Sequence, residues 1–270
     1  MEPRTLRYKK ADLHYGVKGE GPAIVLLHGF GEDGSIWKEQ FHAFPGYRLI
    51  VPHLPGSGLS EMQADMSIEG LADAVNAILL EEKVHQCILL GHSMGGYIVL
   101  AIAERYRNKI LGFGLVHSTA YADSEEKIAT RRKGIAFIKE HGASAFLRTS
   151  IPNLYSTASK VSHPELIESH LLTSHRFSDA ALITYYESMI ARPDRTAVLR
   201  DTIVPVLFVL GREDSAIPLI DGLQQCHLPL QSHVHLLEES GHMGMVEEAA
   251  KTNACLNSFV TCLIKPLKTA

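Results

Sequence analysis

One strand–turn–helix stretch constrains the fold of this chain more than any other. An apolar run at 87–90 leads into Gly-His-Ser-Met-Gly, and a second apolar segment, 97–103, follows with helical character. A tight turn leaves no room for side chains two residues on either side of Ser93, which accounts for Gly91 and Gly95. Such a turn would lift the serine hydroxyl clear of the sheet, near the free N–H groups of the helix. The alternative is an ordinary joint in which the serine caps the helix.

Buried strands and helices alternate on both sides of this stretch. The run at 23–27 is continuously apolar, which is typical of a strand buried on both faces. The alternating residues of 5–17 predict an antiparallel hairpin at a sheet edge. The alternation of strands and helices predicts an α/β fold with a mostly parallel sheet covered by helices on both faces. The remaining predicted strands are 47–51, 87–90, 110–116, 204–210 and 234–237.

The alternation stops between about residue 118 and residue 195. Only helical candidates occur there, and Asp123 with Glu126 would form a capping box for the first of them. We therefore expect a helical insertion over the sheet, called the cap below. The predicted division is a core of 1–118 and 196–270 with a cap of 119–195. Further cap helices are predicted at 143–147, after Pro164 and over 179–190.

A serine needs a general base and an acid that holds the base, and both candidates lie just past strand ends. Asp214 follows the strand at 204–210, and His242 follows the last strand. The carboxyl ends of parallel strands meet at one edge of a sheet, so these residues are expected to converge on Ser93. Glu213 is an alternative acid, and Asp123 a less favoured one.

These motifs together resemble the α/β-hydrolase family in its Ser, Asp, His order. The resemblance rests on Gly-His-Ser-Met-Gly, on Asp214 in a Gly-x-x-Asp-x-x-x-Pro loop, on Gly241-His242, and on the His-Gly-Phe-Gly loop at 28–31. It implies an eight-stranded, mostly parallel sheet with a helical cap, similar to small carboxylesterases and 3-oxoadipate enol-lactonase-like hydrolases. His53 and Ser57 depart from the family pattern, which affects loop geometry rather than the reaction.

The resemblance also implies roles for individual residues. Ser93 would be the nucleophile, His242 the base and Asp214 its partner, while the backbone N–H groups of Phe30 and Met94 would bind the oxyanion. The implied activity is hydrolysis of a small carboxylic ester or lactone without a metal or organic cofactor. Alternatives on the same triad are carbon–carbon bond hydrolysis, thioesterase activity and perhydrolysis. A small-molecule receptor with the same pocket is the alternative outside the enzymes. Candidate substrate-binding residues are Gly29, Tyr121, Leu154, Tyr185 and Met189.

Other classes of function are disfavoured by the sequence. A net charge of −4 argues against a nucleic-acid partner, and no apolar stretch is long enough for a signal peptide or a membrane span. The glycines at 29–34 match a dinucleotide-binding pattern, but the next strand ends without the acidic residue that binds ribose. His233 and His235 have no neighbouring metal-ligand partner, which favours a structural role. Unpaired spacing of the four cysteines favours free thiols in a reducing cytoplasm.

Overall fold

A central sheet organises the protein. The computed structural model describes residues 1–174 and 177–264. Its sheet has eight strands in the order β1-β2-β4-β3-β5-β6-β7-β8, which confirms the predicted eight-stranded, mostly parallel α/β architecture. The strands are β1 (Glu2–Tyr8), β2 (Ala11–Lys18), β3 (Ala23–Leu27), β4 (Arg48–Pro52), β5 (Cys87–His92), β6 (Ile110–Val116), β7 (Val206–Gly211) and β8 (Ser232–Leu237).

The pairing of the strands follows their burial patterns. β1 and β2 form the predicted antiparallel hairpin, and β2 joins β4 antiparallel, while all other neighbours pair in parallel. Every residue of β3, β5 and β7 is buried, as expected for strands covered on both faces. Parallel pairing places the carboxyl ends of β3 to β8 along one edge of the sheet. That edge carries the candidate site.

Helices cover the sheet. α1 and α2 pack against each other, α2 contacts β5 and β6, and α11 contacts β7 and β8. A 3-10 helix, Gly34–Gln40, lies between β3 and β4. The helices are α1 (Ile68–Glu81), α2 (Met94–Arg105), α3 (Glu125–His141), α4 (Ala143–Ser150), α5 (Thr157–Ser162), α6 (Pro164–Ser174), α7 (Asp179–Ala191), α8 (Thr196–Asp201), α9 (Leu219–Leu223), α10 (Gly244–Glu247) and α11 (Ala249–Ile264).

The chain between β6 and β7 carries helices α3 to α8, of which α3 to α7 lie within the predicted insertion of 119–195 and α8 follows it. α3 packs on α4 and α7, whereas α8 packs on α2. The predicted capping box is wrong, because Ser124 rather than Asp123 caps α3 by accepting from the Lys127 N–H. The division at 118 and 195 stays a prediction, and residues 265–270 of the predicted core lie outside the described residues.

Two further expectations concern cysteines and membranes. All four cysteines, Cys87, Cys226, Cys255 and Cys262, are free thiols. Across residues 1–174 and 177–264, no helix combines the length and the apolar character that crossing a bilayer requires.

Candidate active site

The turn at Ser93 is a strained strand-to-helix connection. Ser93 has φ 51° and ψ −117°, a backbone conformation that non-glycine residues seldom adopt. A Cβ at Gly91 would lie 2.4 Å from the Gly95 carbonyl carbon, and a Cβ at Gly95 would lie 2.4 Å from the Leu27 carbonyl oxygen. Both positions therefore require glycine. The serine side chain makes no capping hydrogen bond, so the alternative of an ordinary N-cap does not hold.

Asp214 and His242 converge at the same sheet edge from the loops after β7 and β8. His242 Nδ1 lies 2.8 Å from Asp214 Oδ2 and 3.0 Å from Oδ1. Since a carboxylate only accepts, Nδ1 carries the ring proton and Nε2 is left as the basic atom. The backbone N–H of His242 also donates to the Leu154 carbonyl oxygen at 2.7 Å, which ties His242 to the cap.

The Asp214 carboxylate is held by four donors. Besides His242, it accepts from the backbone N–H groups of Ala216 and Ile217 and from the His117 ring. Burial alone would raise the pKa of Asp214, but the neighbouring histidines and these hydrogen bonds hold it well below its usual range. The alternative acid, Glu213, is exposed and accepts from the Thr157 N–H instead.

Ser93 and His242 open into one cavity of about 430 Å³. Within the described ranges, no hydrogen bond joins the Ser93 hydroxyl to His242 Nε2. Catalytic hydrogen bonds of this kind are often long without substrate and tighten when it binds. The cavity wall comprises Phe30, Glu32, Ser93, Tyr97, Ser124, Glu126, Lys127, Thr130, Arg131, Leu147, Ser150, Ile151, Leu154, Tyr186, Met189, Ser215, Ala216, Ile217, Pro218, Asp221 and His242.

The two candidate oxyanion donors lie beside the serine turn. Met94 is the first residue of α2, so its N–H has no partner within the helix. Among the hydrogen bonds of the described residues, the Phe30 N–H has no acceptor either. The Phe30 ring stacks on Tyr186 of α7, with centroids 4.2 Å apart. This contact holds the loop after β3 against the cap.

The candidate substrate-binding residues divide into two groups. Leu154 and Met189 line the cavity, whereas Gly29, Tyr121 and Tyr185 are not among its lining residues in the described part of the chain. The Tyr185 side chain is fully buried and its hydroxyl donates to the Pro55 carbonyl oxygen, while its neighbour Tyr186 faces the cavity. The tyrosine of α7 that lines the cavity is therefore Tyr186, one position after the predicted Tyr185.

Sequence reasoning missed Glu32, a buried carboxylate in the cavity wall. Glu32 Oε2 accepts from the Gly29 N–H at 2.7 Å and from His92 Nδ1 at 3.0 Å. His92 Nε2 in turn donates to the His242 carbonyl oxygen at 2.9 Å. Both partners of His92 are acceptors, so the ring is doubly protonated. Burial opposes both charges, yet mutual attraction lowers the pKa of Glu32 to about 2 and raises the pKa of His92.

Sequence reasoning also missed His117, although it follows β6 directly. Its Nδ1 donates to Asp214 Oδ2 at 3.2 Å, and burial lowers its pKa. His117, Asp214 and His242 have potential metal-ligand atoms within 4.8 Å of one another. Because both rings donate to the carboxylate, we interpret these three residues as a hydrogen-bonded cluster. A search for residues past every strand end would have found His117.

Comparison with known proteins gives a consistent result. The model of the Alpha/beta hydrolase family matches residues 24–254. The chain is 28% identical over 214 residues to the pimeloyl-[acyl-carrier protein] methyl ester esterase of Yersinia enterocolitica, a match that covers 76% of this chain and 81% of that protein.

Solved structures with the same fold include two hydrolases. A thermophilic esterase from Thermogutta terrifontis superposes with a TM-score of 0.91 at 24% identity, covering 97% of this chain and 99% of that one. The enol-lactonase from Burkholderia xenovorans LB400 superposes with a TM-score of 0.87 at 22% identity, covering 96% and 100%. At these identities the likeness concerns the fold.

Proposed function

Because this chain belongs to the α/β-hydrolase family, we propose that it is a serine hydrolase that cleaves a small carboxylic ester or lactone through an acyl-enzyme. The observation that carries the proposal is the orientation of His242. Its Nδ1 is bound to Asp214, while the ring lines the same cavity as the strained Ser93. A hydroxyl, an imidazole and a carboxylate therefore lie at one sheet edge, which supports the proposed roles of nucleophile, base and acid.

In the proposed reaction, Ser93 Oγ attacks the substrate carbonyl carbon and His242 Nε2 takes the hydroxyl proton. The imidazolium returns that proton to the leaving alcohol as the carbon–oxygen bond breaks. Water then attacks the acyl-enzyme with His242 as base, and the imidazolium returns the proton to Ser93 Oγ as the bond between Oγ and the acyl carbon breaks and the carboxylic acid leaves. Asp214 keeps the proton on Nδ1 and stabilises the imidazolium. Its low pKa keeps it ionised throughout.

The negative charge that develops on the carbonyl oxygen needs donors that are already in place. We assign this role to the backbone N–H groups of Phe30 and Met94. Each such donor contributes about 3 kcal/mol to the stabilisation of the transition state. Stacking of Phe30 on Tyr186 would keep the first donor at a fixed distance from Ser93.

Substrate selection is assigned to the cap, 119–195. Leu154 and Met189 supply apolar wall, and cations on α3 supply a polar one. The pimeloyl methyl ester esterase and the enol-lactonase act on an ester and a lactone by their names, which supports these two substrate classes here. The cavity suits a small molecule, since pockets of several hundred Å³ enclose ligands of that size.

The test is labelling with a fluorophosphonate, followed by mass spectrometry of the labelled peptide and assays with p-nitrophenyl esters. We expect one label, on Ser93, with multiple turnovers that Ser93→Ala abolishes. Ser215→Ala is the matched control, because Ser215 also lines the cavity but should leave the label on Ser93. An unlabelled intact protein, or a single stoichiometric event without turnover, would overturn the proposal, and the latter would favour a receptor.

A further inference from the structure

One wall of the cavity carries buried positive charge. It is formed by α3, which contributes Lys127, Thr130 and Arg131 on one helical face. Arg131 Nε lies 2.5 Å from Asp123 Oδ2, and its Nη2 lies 3.3 Å from Oδ1. A second guanidinium, that of Arg192 after α7, lies 2.9 Å from the same carboxylate. Two cations therefore share one anion.

This cluster is buried. The exposed fractions of the side chains are 0% for Asp123, 13% for Arg131 and 2% for Arg192. The formal sum is one surplus positive charge in a region largely shielded from water. A buried charge without a partner is costly, because solvation lost on burial is not replaced. A bound anion would therefore stabilise this cluster by neutralising its surplus positive charge.

The two arginines differ in how they are used. Arg192 donates to the carbonyl oxygens of Met189 and Tyr121 and lies over the Tyr97 ring at 3.8 Å, so it is held by the protein. Arg131 lies over the Tyr186 ring at 5.5 Å and lines the cavity. In the described part of the chain, Arg131 Nη1 has no hydrogen-bond acceptor. Arg131 is thus the cation with a donor to offer.

The other charges of the wall do not neutralise this surplus. Glu126, Asp221 and Glu32 line the cavity, but Glu126 is exposed, Asp221 is half-buried and Glu32 is paired with His92. Across residues 1–174 and 177–264, Asp123 is the only carboxylate within 4.0 Å of Arg131 or Arg192. Lys127 lines the cavity and donates to the Ala216 carbonyl oxygen at 2.7 Å.

We infer that Arg131 binds a carboxylate carried by the substrate, so that the preferred substrates are esters or lactones with a free carboxylate. This inference rests on the proposed function and narrows it to a substrate class. A guanidinium fixed by one carboxylate presents its remaining N–H groups in a plane suited to a second one. The anion would fix the distance between the charged end of the substrate and the carbonyl group at Ser93.

The test compares two substrate series of equal chain length. One contains monomethyl esters of dicarboxylic acids, and the other contains methyl esters of monocarboxylic acids. In the wild type we expect kcat/KM to be about 10- to 100-fold higher for the charged series, the range of a charge-assisted hydrogen bond. Arg131→Gln should remove that preference, mainly through KM, and change the neutral series less than about threefold.

Two variants control this experiment. Arg131→Lys keeps the charge without the planar donor set, so it should retain part of the preference. Arg132→Gln removes the adjacent exposed arginine and should leave both series unchanged. Equal losses of kcat/KM on both series in Arg131→Gln, or no preference for charged esters in the wild type, would overturn the inference. Arg131 would then have only a structural role in the cap.

A binding measurement separates this inference from the proposed reaction. Glutarate and adipate are titrated calorimetrically into Ser93→Ala and into Ser93→Ala with Arg131→Gln. Binding that disappears with Arg131 supports the carboxylate subsite even if no ester is turned over. Equal affinities in the two proteins contradict the subsite while leaving Ser93 chemistry, measured by phosphonate labelling, unaffected.

Discussion

Two buried histidine–carboxylate pairs lie side by side at the edge of the sheet, and only one of them suits catalysis. His242 pairs with Asp214 and His92 pairs with Glu32, with ring centroids 4.8 Å apart. All four side chains are nearly inaccessible to solvent. In each pair the histidine keeps the carboxyl pKa below its ordinary value. Burial and partner type therefore do not distinguish them.

The difference lies in the second ring nitrogen. His92 uses both nitrogens, one for Glu32 and one for the His242 carbonyl oxygen, so it has no lone pair to accept a proton. Among the described residues, His242 uses only Nδ1 of its two ring nitrogens for hydrogen bonding, and it lines the cavity that Ser93 also lines. We infer that His242 is the base and that the ion pair of His92 is a support beneath it. His92 and His242 are both buried, and it is their hydrogen bonds that distinguish them.

The largest expected effect tests the catalytic member of the comparison. His242→Ala should lower kcat by at least about 10³-fold, because His242 Nε2 takes the Ser93 proton in the proposed mechanism. The thermal midpoint is measured alongside to exclude unfolding. Ser93→Ala with His242→Ala should lose no more activity than either single variant, since the two residues act as one unit. Additive losses in the double variant would show that His242 acts independently of the serine.

The second prediction concerns the supporting pair. Glu32→Gln leaves the His92 charge buried without its counterion, so we expect the free energy of unfolding to fall by about 3 kcal/mol. Glu32→Ala also removes the acceptor of the Gly29 N–H, so this variant should in addition shift the Phe30 donor and lower kcat by about tenfold. Glu39→Gln is the matched control, because Glu39 is exposed on the surface. Urea unfolding and steady-state kinetics provide the two measurements.

The pH dependence of unfolding tests whether the ion pair of Glu32 and His92 stabilises the folded protein. The pKa of Glu32 is about 2 in the folded protein against an ordinary value of 4.5. Its contribution is therefore complete above pH 4.5 and is lost as pH falls toward 2, which amounts to about 3 kcal/mol. The wild type should lose stability over this window more steeply than Glu32→Gln. Parallel curves would mean that Glu32 is not ionised in the native state.

The sequence predicts the sheet and the convergence at its edge because both depend on local pattern. Continuous apolar runs such as 23–27 identify buried strands. Gly91 and Gly95 around Ser93 indicate a tight strand-to-helix turn, because larger residues would not fit there. Glu32 could not be found in this way, since its partner His92 lies 60 positions away and nothing local indicates the pair. The capping role expected of Asp123 is wrong because its carboxylate binds Arg131, eight positions further along the chain, and the distant Arg192, while Ser124 caps the helix.

The cap shows a second limit, the orientation of helices. α7 has no strong apolar face, so its sequence does not decide which of Tyr185 and Tyr186 turns toward the cavity. Packing against Pro55 and Phe30 decides it. Substrate-facing residues of the cap are therefore the part of the site that required the structure, whereas the proposed catalytic residues Ser93, Asp214 and His242 follow from their positions at strand ends.

The smallest expected effect concerns His117, the other histidine on Asp214. His117→Ala removes one donor from Oδ2, but His242 and the N–H groups of Ala216 and Ile217 still hold the carboxylate. We expect kcat to fall by about fivefold, the contribution of one ordinary hydrogen bond. His117→Asn should restore activity, because asparagine tolerates the φ of 48° at this position and can donate to Asp214.

The kinetics of the His117 and His242 variants also test which of the two histidines is the base. His117 Nε2 is buried and has no hydrogen-bond partner in the described residues, which makes His117 the competing candidate for the role of base. A loss of about 10³-fold in His117→Ala, with only a modest loss in His242→Ala, would reverse the assignment. Retained activity in His117→Asn, measured as kcat at saturating ester, would instead restrict His117 to orienting the carboxylate that both rings share.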